Sequence, residues 1–264
     1  MEIKGNVALI TGGANGIGEA VAKDLAKKGA KIVIVDMNQE NIDRVVKDIK
    51  DSGAEVIGVQ ANVTSEEDTA KYVKEAMDAF GHINFVIPSA GIIRDGTMLS
   101  IDKETGKVRK KMDIGKWKSV IDVNLTGTWL TLRDCAEAMV NNGDKGVLFT
   151  ISSVNKAGQI GQMNYSSTKV ADALLPKIMI GEFMLRKIKD IRCVGIAPGY
   201  TGTPMVKGMD QKALEGILQD VHLGRLIEPD EIAALITHVI ENEAINATTI
   251  EITGGLCNKY GVAK

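Results

Sequence analysis

Tyr165-Ser166-Ser167-Thr168-Lys169 sets a phenol and an ammonium at i and i+4, so on a helix the two side chains share one face. A phenol near its reference pKa of about 10 is a poor base at neutral pH. An ammonium beside it favours the phenolate. A tyrosine tuned in this way can take the proton of an alcohol or return it to a ketone. Two common residues at helical spacing are usually accidental, so the pair needs company. Upstream, Ile151-Ser152-Ser153 closes a β-branched run, where a hydroxyl can hydrogen-bond a substrate oxygen and steady developing charge. Asn124, in Val123-Asn124-Leu125, offers an amide that could hold a water chain leading protons out past Lys169. Taken alone, it reads equally well as a buried helix amide bonded to backbone.

A second constellation lies at the start of the chain. Thr11-Gly12-Gly13-Ala14-Asn15-Gly16-Ile17-Gly18 follows an apolar run and opens a helical pattern. Glycines there permit a tight turn and let backbone N–H groups approach a pyrophosphate, and the helix N-terminus adds about half a positive charge. A glycine-rich loop by itself also marks ordinary turns; the strand–loop–helix context makes this one a dinucleotide site. Asp36 ends the next run, where a carboxylate accepts hydrogen bonds from the adenosine ribose and repels a 2′-phosphate. Its neighbours Asn15, Met37 and Asn38 carry no charge, so the expected cofactor is NAD rather than NADP.

The elements that must position these residues follow from periodicity. Short β-branched runs at 7–11, 31–36, 56–60, 84–88, 147–152, 192–197 and 248–252 alternate with helical patterns near 17–29, 39–51, 66–80, 114–141, 165–188 and 229–241. That rhythm predicts βαβ units. Several runs are apolar throughout, as in Ile32-Val33-Ile34-Val35, which suits strands covered on both faces. The expected fold is α/β, a doubly wound parallel sheet of about seven strands with helices on both faces. With no linker, repeat or low-complexity tract, residues 1–264 read as one domain. Two stretches break the rhythm: polar residues 100–113 predict a surface hairpin or loop, and residues 199–218, Gly-rich at their start, predict a mobile segment over a substrate pocket.

Bulk properties narrow the class. A formal net charge of −2 gives no global field for nucleic acid or an anionic membrane. Cys135, Cys193 and Cys257 are odd in number and lack CxxC spacing, which argues against disulfides and a structural metal and suits a reducing cytoplasm. The start reads as neither a signal peptide nor a membrane span. The expected protein is soluble and cytoplasmic.

Thr11-Gly12-x-x-x-Gly16-Ile17-Gly18, Asn62-Val63, Ala90-Gly91, Asn124, Ser153, Tyr165-x-x-x-Lys169 and Pro198-Gly199, in this order, resemble the classical short-chain dehydrogenase/reductase family over essentially the whole chain. The resemblance implies a Rossmann fold, usually tetrameric, with Asn124, Ser153, Tyr165 and Lys169 as the catalytic group. It implies that Asn62 and Val63 flank the adenine, and that Ser89, Ala90 and Gly91 line the cofactor. Thr201 and Thr203 would approach the nicotinamide carboxamide. The full implied cofactor set is Gly12, Asn15, Gly16, Ile17, Gly18, Asp36, Met37, Asn62, Val63, Ser89, Ala90, Gly91, Tyr165, Lys169, Pro198, Gly199, Thr201 and Thr203, with no metal. Ile196-Ala197-Pro198-Gly199 and Ile252-Thr253-Gly254-Gly255 resemble the 3-oxoacyl-thioester reductases within the family. Polyol, sugar, steroid and cyclic-alcohol dehydrogenases share the same frame, as would a catalytically silent dinucleotide binder.

This sequence departs from the family pattern in places. Pro88-Ser89 stands where the family has two asparagines, removing an amide that braces the central strand. Ser153 is favoured over Ser152 by aligning the strand, although the spacing to Tyr165 fits Ser152. Lys107, Arg109, Lys110 and Lys111 cluster on the extra polar stretch, either as solvated surface or as a grip for an anionic acyl carrier. His82 and His238 read as surface, and His222, Met205 and Met209 as possible pocket neighbours. Trp117 and Trp129 read as packing or subunit interface.

Overall fold

The computed structural model describes residues 1–207 and 211–256. Its strands are Val7–Thr11 (β1), Lys31–Asp36 (β2), Val56–Gln60 (β3), Phe85–Pro88 (β4), Leu99–Ile101 (β5), Val108–Lys111 (β6), Gly146–Ile151 (β7), Ile191–Pro198 (β8) and Thr248–Ile252 (β9). The helices are Gly16–Lys27 (α1), Gln39–Asp51 (α2), Glu66–Phe80 (α3), Ile114–Ile121 (α4), Thr128–Asn142 (α5), Met163–Arg186 (α6), Pro204–Lys207 (α7), Gln211–Leu218 (α8) and Pro229–Glu241 (α9). Seven strands form one parallel sheet in the order β3-β2-β1-β4-β7-β8-β9.

Alternation along each strand sends side chains to two cores. From β1, Ala8 and Ile10 join Leu25, Ile42 and Ile236, contributed by α1, α2 and α9. Val7 and Leu9 join Tyr72, Leu132 and Met139 on the other face, under α3 and α5. Both faces being covered, β1 and β7 are buried at every position, which accounts for their uninterrupted apolar character. Asn38 and Ser65 start α2 and α3 by accepting hydrogen bonds from the N–H groups of Asn41 and Asp68.

The chain builds outward from β1 to β3, then returns to lay β4 on the other side of β1. That reversal opens a crevice at the carboxyl ends of the central strands. The β4–β7 ladder holds only at Phe85↔Val147 and Val86↔Leu148, so the strands part beyond Val86 and widen it.

Three expectations need correction. The helix expected over 114–141 is interrupted: residues Asp122–Gly127 form a π-helical turn between α4 and α5. Periodicity alone misses it because the wider turn is set by tertiary contacts of Asn124 and Gly127. The last helix before β8 begins at Met163 rather than Tyr165 and stops where Lys187 turns left-handed. The strand expected from Asn84 starts at Phe85. Residues 99–111 do form an exposed antiparallel hairpin, β5 and β6, outside the main sheet.

Asn84 ties three strands at their amino ends. Its Oδ1 accepts from the Val7 N–H at 2.9 Å, and its Nδ2 donates to the Lys145 carbonyl at 2.9 Å. An amide therefore does brace the central strand, at the end opposite the Pro88-Ser89 departure. Asn84→Ala would leave the buried Val7 N–H unpaired, at a cost of about 1–3 kcal/mol. Urea unfolding should show that loss as a lower midpoint with unchanged slope; an unchanged midpoint would make the tie dispensable.

Candidate active site

The crevice holds a cavity of about 800 Å³. At its floor is the loop from β1 to α1. Gly12 has φ +62°, and a Cβ there would stand 2.7 Å from the Ala90 nitrogen. A Cβ on Gly18 would meet the Gly12 carbonyl oxygen at 2.3 Å. The loop from β1 thus packs directly on the loop from β4, with no room for side chains between them. Gly16, at φ +55°, lies under the Thr203 side chain. Gly12, Asn15, Gly16 and Ile17 line the cavity, whereas Gly18 lies behind them as packing. The bare backbone and the α1 N-terminus fit a dinucleotide's phosphates.

Asp36 and Met37 line the same cavity at the end of β2. The Asp36 carboxylate accepts from the N–H groups of Ala14 at 3.3 Å and Asn38 at 3.1 Å. A cation that sequence neighbours gave no hint of does approach this edge: Arg44 donates to the Ala14 carbonyl at 3.1 Å. Its guanidinium also makes two 2.7 Å hydrogen bonds to the Glu19 carboxylate. The hydrogen bond from Arg44 is the main reason the Glu19 carboxyl sits below the usual range. Arg44 is thus already neutralised, and Asp36 keeps its charge uncompensated.

α6 carries Tyr165 and Lys169 along the cavity wall. Asn164 fixes the start of this helix: its amide donates to the Arg94 carbonyl while its Oδ1 accepts the Tyr165 N–H. The Lys169 ammonium lies 5.6 Å from the centre of the Tyr165 ring. It donates to the Ile151 carbonyl at 2.6 Å and to Asp172 Oδ2 at 2.9 Å. Burial pulls the Lys169 pKa down, but the negative charge of Asp172 and the ionised form of Tyr165 outweigh it and hold it above the ordinary lysine value.

The two serines after β7 both line the cavity but differ in what their hydroxyls do. Ser152 donates to the Lys169 carbonyl at 2.6 Å, so its proton is committed to backbone. Ser153 accepts from the Asn155 N–H at 3.2 Å, which leaves its own proton available.

Asn124 is fully buried in the π-helical turn. Its Oδ1 accepts from the Ile92 N–H at 2.8 Å and its Nδ2 donates to the Ile92 carbonyl at 2.9 Å. The side chain therefore clamps the strand-like segment after β4, and Val123 rather than Asn124 lines the cavity. Ser89, Ala90 and Gly91, and Asn62 and Val63, line it from the ends of β4 and β3. Pro198, Gly199, Thr201 and Thr203 line it from beyond β8. His222 packs on Gly255 and does not line the cavity. Met209, Cys257 and the side chain of Met205 lie outside what is described.

Sequence reasoning missed the far wall. Gln162 donates to Asp95 at 3.0 Å and accepts from Asn155 at 2.6 Å, joining the segment before the hairpin to the start of α6. All three residues line the cavity. They belong to no motif, and Asp95 lies 67 residues before Gln162, so only the fold brings it to the other two.

Residues 6–214 match the short chain dehydrogenase family. The 3-oxoacyl-[acyl-carrier-protein] reductase of Thermotoga maritima is 30% identical, over 97% of this chain and 99% of that one. The acetoacetyl-CoA reductase of an Acinetobacter species is 32% identical, over 95% and 97%. The human (3R)-3-hydroxyacyl-CoA dehydrogenase is 29% identical over 96% of each chain. Among solved structures, a short-chain type dehydrogenase/reductase from Mycobacterium marinum superposes with TM-score 0.86 at 25% identity, over 97% and 96%. A 7α-hydroxysteroid dehydrogenase in complex with NADH shares the fold with TM-score 0.85 at 24% identity, over 96% and 95%.

Proposed function

The chain belongs to the short chain dehydrogenase family, and on that premise we propose that it is an NAD(H)-dependent oxidoreductase interconverting a secondary alcohol and a ketone. The observation that carries this reading is that Tyr165, the buried Lys169 ammonium 5.6 Å from its ring centre, and Ser153, whose hydroxyl proton is available, all line one cavity. The β1–α1 loop with Asp36, Ser89, Ala90, Gly91 and Thr203 would hold a nicotinamide dinucleotide, which would supply or accept the hydride. Tyr165 takes the alcohol proton in oxidation and returns it in reduction, with the Lys169 ammonium favouring the phenolate. Ser153 donates to the substrate oxygen and steadies its developing charge. Asn124 acts through Ile92, holding in place the segment after β4 that lines the cavity.

Asp36 with Arg44 sequestered by Glu19 supports NAD over NADP. Catalytic efficiency with NAD(H) should exceed that with NADP(H) at least ~10-fold, about 1.4 kcal/mol of discrimination. Equal efficiencies would mean that Asp36 does not face the ribose. Tyr165→Phe keeps the ring but removes the proton carrier, and turnover should fall at least ~10²-fold with NADH binding retained. Of the paired variants, Ser153→Ala should cripple turnover and Ser152→Ala should not. A Phe variant near wild-type turnover would sink the assignment.

We further infer a 3-oxoacyl or 3-hydroxyacyl thioester as substrate, supported by the names of the relatives and by the cationic hairpin. Lys107, Arg109, Lys110 and Lys111 are exposed, and none has an ion pair among the described residues. The hairpin rises directly from Asp95, Gly96 and Thr97, which line the cavity mouth. Neutralising the four cations should raise KM for a thioester, most strongly at low salt, and leave a small uncharged ketone unaffected. An unchanged thioester KM at low salt would reduce the cluster to plain surface. Exposed apolar residues on α6 and α5, among them Leu174 at 57% and Trp129 at 48%, support assembly of copies, read here as a homotetramer in the cytoplasm.

A further inference from the structure

Asp172 is a buried carboxyl group that the proposed chemistry leaves unused; burial raises its pKa, and the Lys169 ammonium pulls the other way. It follows Lys169 by one helical turn of α6 and has no exposed surface. Its Oδ2 accepts from the Lys169 ammonium at 2.9 Å, while its Oδ1 has no hydrogen-bond partner among the described residues. Lys169 is itself 6% exposed, and its only other acceptor among the described residues is the uncharged Ile151 carbonyl. Among the described residues, each is the other's one ion-pair partner. A buried ammonium without a counter-ion is driven toward its neutral form, and a neutral amine does not favour the Tyr165 phenolate.

We propose that Asp172 is a positioning residue for the Tyr165–Lys169 pair: it keeps Lys169 protonated and directed to the end of β7, and so holds open the alkaline side of the enzyme's working range. The proposal rests on reading Lys169 as the group that tunes Tyr165. Among the described residues, no other carboxylate pairs with Lys169. From β7, Thr150 and Ser152 present hydroxyls, which donate to the Asp172 and Lys169 carbonyls. From β9, Thr249 donates to the Ala173 carbonyl, while Glu251 is paired with Lys156 of the turn after β7. From β8, Cys193 is held neutral, its thiol pushed up to about 12 by burial. α4 brings Lys116, which donates to the Asp95 carbonyl instead. Tyr165 is the remaining titratable group that acts on Lys169.

The sign follows from the charge that must be kept. Burial lowers a lysine pKa and the anion raises it, so removing the anion brings deprotonation to lower pH. Alcohol oxidation is the informative direction, because deprotonation of Tyr165 raises that rate with pH and cannot produce a fall. Wild type should rise to a plateau in kcat/KM, whereas Asp172→Asn should rise and then fall roughly tenfold or more within the range where wild type is level. Asp172→Glu, which restores the charge, should recover the plateau. An Asp172→Asn profile of wild-type shape, even at reduced height, would make Asp172 mere packing and overturn the proposal. If Asp172→Asn does not fold, the wild-type chain answers the question. The Nζ signal of Lys169 in 15N-lysine protein, assigned by its loss in Lys169→Arg, should stay that of an ammonium past the ordinary value of about 10.4. Titration below that value would overturn the proposal. Lys169→Met separates the two claims: if it retains wild-type turnover, the reading of Lys169 itself fails, whatever Asp172 does.

Discussion

Parallel strands cannot be joined by tight turns, so each connection in this sheet must travel back across one of its faces. From that constraint the rest follows. Helices come to lie on both faces, which demands strands apolar on both sides, as in β1, β2 and β7. Every strand delivers its carboxyl end to the same edge, so loops distant in sequence meet there. Where the order reverses between β1 and β4, the helices that follow leave to opposite faces of the sheet, and the cavity forms at that edge.

Two kinds of contact then give the edge its chemistry. One is backbone against backbone: Gly12 meets Ala90 and Gly18 meets Gly12 with no space for a Cβ, so the loop is bare main chain. The other is charge held in the interior. Lys169 and Asp172 are both buried, and the cost of burying either is offset mainly by the other. The ammonium lies between β7 and the Tyr165 ring, so the proton chemistry is tied to the packing of α6 on the sheet. At the opposite end of the cavity, Glu19 performs the reverse task, removing the charge of Arg44 from a site that Asp36 keeps negative.

The sheet, its parallel sense and several residues that line the cavity were legible because they are local signals. Apolar runs, a glycine loop between a strand and a helix, a carboxylate at a strand end and a Tyr–Lys pair can each be read within a few residues. What escaped was set across the fold. The π-helical turn depends on Asn124 reaching Ile92 and on Gly127 packing against Val63. Arg44 finds Glu19 across two helices, and Gln162 finds Asp95 across the cavity. Asp172 is local to Lys169, yet only burial distinguishes it from an ordinary solvated helix carboxylate.

The central claim is that this cavity moves a hydride while Tyr165 moves the proton. It is tested most directly by following the label from NADH deuterated at the transferable C4 position into product, with ketones and 3-oxoacyl thioesters as acceptors. The account predicts deuterium on the carbinol carbon of the product and an unlabelled hydroxyl, with NADH consumed mole for mole. Tight NADH binding with no label transferred to any acceptor would contradict it, and would leave the chain a dinucleotide binder that performs no such chemistry.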